Sequence, residues 1–390
     1  MRPNPSLSRR IFLRRSAIGA TALAGTGLSS LAAWATPRSG RAEATVRPVR
    51  SVRLPRTLRE KVGQLFMVSF AGTSPEPAFL SLLERHAFGG VILYARNAVS
   101  AAQVGALIAG LQRAAPFPLL VSTDQEGGAI VRIRHGVTVF PSEATYGALG
   151  STSTPRVYDD AATTAHGLRA LGLTMNIAPV VDVLSNSKSP IGKRSYGADP
   201  HLVAALSTAA IQGYQRSGLA AAAKHFIGLG HTSVDSHQAL PTVTLTLDEL
   251  ERDDLIPFRA ALGAGVSTVL VAHVALPAID PVVRPASLSP VMIEGLLRQR
   301  LGFTGVVMTD SLIMGALPRG HEAESAERAF SAGADILLIA GEHDISSSLI
   351  DEVVERVVAA VANGRVPESR LDASVARILA LKARYPALMS

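Results

Sequence analysis

The feature that most constrains this chain is a rhythm. Eight short, largely apolar runs recur along it, each separated from the next by a segment with helical periodicity. The runs are KVGQLFMVSF (61–70), GGVILYARN (89–97), PLLVSTDQEGG (118–128), TMNIAPVVDV (174–183), LAAAAKHFIG (219–228), STVLVAHVALPAID (267–280), GVVMTDSLIM (305–314) and ADILLIAG (334–341). Amphipathic stretches such as AAQVGALIAGLQRAA and HLVAALSTAAIQGYQRSG lie between them. Strands that are apolar almost throughout are covered on both faces, which marks a parallel sheet. Eight such units in about 340 residues predict an α/β fold, a closed (β/α)8 TIM-like barrel forming a single catalytic domain. The turn after the first run, VSFAGTSPEP, lacks the G-x-G-x-x-G that an open nucleotide-binding sheet would favour there.

Charge separates the barrel from what precedes it. Residues 1–44 carry seven arginines and one acid, a net +6 of the chain's +7, so the basicity belongs to this leader. Nucleic acid is therefore not an expected partner. The leader reads SLSRRIFLRRSAIGATALAGTGLSSLAAWATPRSGRAEA, with paired Arg9 and Arg10, a weakly apolar Ala/Gly stretch, and two A-x-A sites at Ala33–Ala35 and Ala42–Ala44. It resembles a twin-arginine export signal, which predicts export through that translocation machinery to the periplasm or the exterior. A linker at 45–56 and a catalytic domain at 57–390 complete the expected organisation, with no stable membrane span. There are no cysteines, so disulfides, thiolate metal sites and a cysteine nucleophile are excluded.

Polar residues interrupt the apolar runs at one end. Asp124 and Glu126 close the third run, Asp182 the fourth and Lys224-His225 the fifth; His273 lies in the sixth and Asp310 closes the seventh. In a (β/α)8 barrel the site lies at the C-terminal ends of the strands, so these residues point to one pocket. Taken singly, each carboxylate reads equally well as a cap for the following helix. The segment KHFIGLGHTSVDSHQALP then places three of the chain's ten histidines within thirteen residues. One reading is a metal site from His225, His231, Asp235 and His237, although their spacing matches no compact ligand signature. The other is proton transfer, because Asp235 two residues before His237 can fix its tautomer and raise its basicity. Asp310, alone at a strand end, suits a nucleophilic carboxylate or a helix cap.

These segments resemble glycoside hydrolase family 3, in particular its bacterial β-N-acetylglucosaminidases (β-N-acetylhexosaminidases). KHFIGLGHTSVDSH is similar to the family's K-H-F-P-G-x-G-x-T-x-x-D-[ST]-H signature, and TDQEGGAIVRI to D-Q-E-G-G-R-V-x-R. NIAPVVDV, GKRSYGADP, AHVALPAID, PASLSP and LGFTGVVMTDSLIMGA resemble further family segments in the same order, from about residue 57 to 385. The resemblance implies that Asp310 is the nucleophile and His237 the general acid/base, oriented by Asp235. It also implies that Asp124, Arg132, Arg194, Lys224 and His225 hold the hydroxyls of the terminal sugar. Two-domain relatives take their acid from a second domain, so here the acid is expected from the barrel itself.

The implied activity is retaining exo-hydrolysis of terminal β-linked GlcNAc from short glycans such as peptidoglycan fragments or chitooligosaccharides. No cofactor or metal is expected, a small carbohydrate is the expected partner, and the protein is expected to be a monomer. β-Glucosidase action, phosphorolysis and a metal-dependent barrel hydrolase are the alternatives. Trp34, the only tryptophan, lies in the leader, which favours a compact polar pocket over a long aromatic cleft. The chain departs from the family pattern at Ile227 (proline), Leu229 (often His), His231 (often Asp) and Ala129 (often Arg). Ile227 bears on the mobility of the loop that follows it, and His231 reads as a loop side chain.

Overall fold

The computed structural model describes residues 53–342 and 345–387. The expected export signal and the first part of the expected linker lie outside the described residues. Eight parallel strands form the barrel: β1 Phe66–Val68, β2 Gly90–Leu93, β3 Leu120–Thr123, β4 Met175–Asn176, β5 Ala220–Phe226, β6 Thr268–Val271, β7 Val306–Thr309 and β8 Leu337–Ile339. Each pairs with its sequence neighbour, and β8 returns to β1 through Phe66 opposite Leu337. A parallel bridge between Met308 and Ile336 joins β7 to β8 and completes the ring. The expected (β/α)8 barrel is what forms.

The runs are shorter as strands than as sequence, and the reasons are local. In KVGQLFMVSF, Lys61–Gly63 belong to the helix Leu58–Gly63. The Thr57 side chain accepts from Glu60 N–H while the Glu60 carboxylate accepts from Thr57 N–H, a reciprocal cap that fixes the helix start. The fourth run is regular strand over only two residues; at Pro179, which has no N–H, the ladder is interrupted and it resumes as an isolated parallel bridge from Val180 to Lys224. The polar residues lie at or just past the strand ends: Asp124 follows β3, Lys224 and His225 end β5, and Asp310 follows β7.

Side-chain size follows the geometry of the interior. Ala220–Ala223 on β5 are all fully buried. A Cβ on Gly90 of β2 would come within 2.8 Å of both Leu120 O and the Met67 terminal methyl, so only glycine fits. Amphipathic helices cover the outside, with Phe258 of Leu255–Gly263 meeting Phe226 edge-to-face at 5.1 Å. At the N-terminal end of the barrel, buried Asp335 accepts from Arg298 Nη2 at 2.6 Å and Ser374 Oγ at 2.5 Å, tying the last helix, Glu368–Arg384, to the sheet. No helix among the described residues is long and apolar enough to cross a membrane.

Candidate active site

The strand ends converge as the barrel demands. Lys224, inside β5 and 3 % exposed, donates from Nζ to Asp124 Oδ1 at 2.7 Å and lies 2.5 Å from Glu126 Oε1. Glu126 also receives Arg194 in a two-pronged contact, Nε to Oε2 and Nη2 to Oε1, both 2.8 Å. A buried lysine and a partly exposed arginine thus share one buried carboxylate. Burial opposes ionisation of Glu126, but Lys224 and Arg194 outweigh it and hold its carboxyl far below the usual range. Burial likewise opposes the charge on Lys224, and Asp124 and Glu126 reverse the sign, so its ammonium is kept charged.

His225 stands next to this network. Its Nδ1 lies 2.7 Å from Asp182 Oδ2, which also accepts from the His225 N–H at 3.0 Å. Its Nε2 lies 3.3 Å from Arg194 Nη2. Arginine can only donate, so Nε2 accepts and the ring proton sits on Nδ1, facing Asp182. Glu126 and Asp182 are absent from the set inferred from resemblance, although both lie at strand ends where the sequence signal already pointed.

Asp310 follows β7 directly. Its Oδ1 accepts the N–H of Ser311 at 2.8 Å, and its own N–H bonds to Val271 O on β6. Burial works against its charge, yet His273, His225 and the Ser311 N–H together hold the carboxyl below its ordinary value. His273, fully buried, spans Ser287 Oγ at 2.6 Å and Ser311 O at 2.9 Å, bracing the segment that carries Asp310. No helix starts at Asp310; the next, Glu322–Ala332, begins twelve residues on, which removes the cap reading.

The Asp235–His237 loop lies above this floor. His237 Nδ1 is 2.8 Å from Asp235 Oδ1, and the same oxygen accepts the His237 N–H at 2.9 Å. Burial raises the Asp235 pKa, but these contacts outweigh it and leave it below the ordinary value. The loop is tied to the segment beyond Asp310: Gly315 N–H donates to His237 O at 3.1 Å and Ala316 N–H to Ser236 O at 3.0 Å. A Cβ on Gly315 would sit 2.6 Å from His237 O, so glycine is what lets the two segments meet. His237 Nε2 has no hydrogen-bond partner among the described residues. Ile227, at the root of the loop, is fully buried in the core and anchors it by packing.

Among the described residues, Arg132 does not join the Lys224 network through its side chain. Its Nη1 pairs with Glu342 Oε1 at 2.6 Å, and its guanidinium lies 5.4 Å from the centre of the Tyr94 ring. Tyr94 is buried, which with the nearby acids Asp124, Asp310 and Glu342 pushes its phenol pKa up, against Arg132. Glu342 and Tyr94 were not foreseen; Glu342 ends the extended segment after β8, the same strand-end signal that marks the other acids. Glu143 is a further surprise. Buried behind Glu126, it accepts from Val180 N–H at 3.0 Å, and burial raises its pKa well above the carboxylate range.

The residues weighed together as a metal set do not meet: His225 pairs with Asp182, His231 with Asp254 and His237 with Asp235. Among the described residues one group has donor atoms close enough for an ion, His231, Asp253 and Asp254, with one donor from each within 4.8 Å of the others.

Comparison with known proteins matches this geometry to a family. Residues 57–381 fit the glycosyl hydrolase family 3 N terminal domain. A β-hexosaminidase of Xylella fastidiosa (strain M23) is 36% identical over 290 residues, spanning 73% of this chain and 86% of the relative. A solved family 3 β-N-acetylglucosaminidase from Paenibacillus sp. is 43% identical with a TM-score of 0.81, covering 85% of this chain; the chain spans 63% of that protein's length. A β-N-acetylhexosaminidase from Beutenbergia cavernae is 30% identical with a TM-score of 0.77, covering 85% of this chain and 100% of that one. The chain belongs to glycosyl hydrolase family 3, and it is a glycoside hydrolase of the β-hexosaminidase kind.

Proposed function

We propose that this enzyme is a retaining exo-β-N-acetylglucosaminidase that releases terminal β-linked GlcNAc from short glycans such as peptidoglycan fragments or chitooligosaccharides. The observation that carries this reading is the pairing of a recessed carboxylate, Asp310, with a loop imidazole whose Nε2 is free. Asp124, Arg132, Lys224, Arg194 and His225 hold the hydroxyls of one terminal sugar. An Asp310 carboxylate oxygen attacks the anomeric carbon as the glycosidic C–O bond breaks, and His237 passes its Nε2 proton to the departing oxygen. Water then attacks the same carbon, His237 takes a proton from that water, and the bond to Asp310 breaks, restoring the carboxylate. Asp235 steadies the imidazolium that each cycle requires.

One carboxylate and one imidazole thus do the work of the usual carboxylate pair, with retention expected from the covalent intermediate. The leader supports export, with action in the periplasm or outside the cell. The test compares wild type and Asp310→Ala on matched aryl β-N-acetylglucosaminide and β-glucoside substrates. Wild type is expected to prefer the former, and Asp310→Ala to lose at least roughly 10⁴-fold in kcat/KM. Equal rates for the two proteins would remove Asp310 as nucleophile.

A further inference from the structure

The loop that carries Asp235 and His237 is solvent-facing for most of its length, with Ser233, Val234 and His237 exposed. Its stem, by contrast, is heavily fastened. Leu229 O accepts from Ser189 Oγ at 2.8 Å, Gly230 O from Asn186 N–H at 2.9 Å, and His231 O from Asn186 Nδ2 at 3.2 Å. Among the stem's side chains His231 hydrogen-bonds across to another element, its Nε2 lying 2.6 Å from Asp254 Oδ2. Asp254 is 1% exposed and stands immediately before the helix Leu255–Gly263; its other oxygen has no partner. His231 is thus the only hydrogen-bond partner of this buried carboxylate among the described residues. Asp253, 3.5 Å from the same ring nitrogen and held by Ser185 Oγ at 3.0 Å, adds a second negative charge.

We propose that His231 is a positioning residue: its bond to Asp254 sets the stem of the loop so that His237 meets the glycosidic oxygen. This rests on the acid/base reading of His237. Only four residues separate the His231 anchor from Ser236, where the loop next docks, so a shift at one end is carried to the imidazole. Burial disfavours a charged His231, but Asp254 and Asp253, with Asp182 beyond them, outweigh it and raise its pKa. Burial raises the Asp254 pKa as well, against the pull of His231, so whichever partner holds the proton a short hydrogen bond joins the two, and its loss leaves a buried carboxyl group without a partner beneath the loop.

The experiment measures kcat and KM for 2,4-dinitrophenyl and phenyl β-N-acetylglucosaminides, which need little and much acid assistance respectively. His237→Ala serves as the reference and is expected to lose far more on the phenyl substrate. His231→Ala is expected to lose roughly 10–100-fold in kcat on the phenyl substrate and under about threefold on the dinitrophenyl one, with KM little changed. His231→Gln, whose amide nitrogen occupies the place of Nε2, is expected to recover most of the loss. Equal losses on both substrates, no loss, or no recovery with glutamine would overturn the proposal while His237 keeps its pattern. A His237→Ala variant without leaving-group dependence would instead overturn the acid/base reading, and this proposal with it. Should His231→Ala not fold, His231→Asn, too short to reach Asp254, takes its place in the same comparison.

Discussion

Two histidine–aspartate pairs in this barrel are built alike and placed in opposite surroundings. In each, one carboxylate oxygen accepts both the ring Nδ1 and the backbone N–H of the histidine: 2.7 and 3.0 Å for Asp182 with His225, 2.8 and 2.9 Å for Asp235 with His237. The first pair is nearly sealed, with side chains 7% and 0% exposed for His225 and Asp182, and its Nε2 is engaged by Arg194. In the second pair His237 is 69% and Asp235 36% exposed, and Nε2 is unengaged. Identical local bonding orients both rings; what surrounds Nε2 decides whether the ring can exchange a proton or only accept a hydrogen bond. In the proposed mechanism the floor pair is a fixture, and the loop pair is the one that moves a proton.

Four substitutions and titrations break or sharpen that contrast. The largest effect falls on the loop: His237→Ala should lower kcat by roughly 10²–10⁴-fold on poor leaving groups and far less on good ones. Its stability should change by under about 1 kcal/mol, since a solvent-exposed polar contact contributes little. Denaturant melts of the purified variant alongside the kinetics test both halves.

On the floor the balance reverses. Lys224→Met leaves Glu126 and Asp124 without their shared counter-charge and should destabilise folding by about 3–5 kcal/mol. A melt unchanged from wild type would mean that the buried network is not held together by charge.

Gly315→Ala probes the seam between the two regions. The added methyl would sit 2.6 Å from His237 O and should cost about 1–3 kcal/mol unless the loop moves away. Thermal unfolding together with the leaving-group ratio reports which of the two happens.

The smallest effects are on the pH dependence of stability. The folded pKa of Glu126 lies below its unfolded value, so its contribution is present above about pH 4.5 and fades as pH falls. Lys382, buried at the opposite end of the barrel and hydrogen-bonded to Gln64 Oε1 at 2.6 Å, has no opposing charge among the described residues, and burial lowers its pKa to about 7. Between pH 7 and its unfolded value of 10.5 the unfolded chain holds the extra proton, so stability should rise with pH across that window. Lys382→Met should flatten the rise, as denaturant midpoints at successive pH values would record.

The barrel was legible because parallel strands covered on both faces leave a plain apolar signature, and their polar exits mark one end. The boundaries were less so. Lys61–Gly63 read as strand because VGQLFMV is apolar, although Thr57 and Glu60 in TLRE carried the capping signal that starts a helix there. Asp124, Lys224 and His225 came together because they lie at the exits of β3 and β5, whereas Arg194 reaches Glu126 and His225 from the short turn Gly192–Arg194 in the loop after β4. Arg132 could not be placed from the sequence, because its partner Glu342 lies 210 residues away and only ring closure through β8 beside β1 brings them into contact. The same holds for His231, which reads as a loop residue until Asp254 is seen beneath it.

The central claim is that Asp310 bonds to the sugar during turnover. A fluorinated N-acetylglucosaminyl substrate that slows hydrolysis of the intermediate, followed by proteolysis and mass spectrometry, tests it most directly. The expected result is one sugar adduct per chain on the peptide containing Asp310, absent from Asp310→Ala. An adduct on another carboxylate, or on the His237 peptide, would contradict the account.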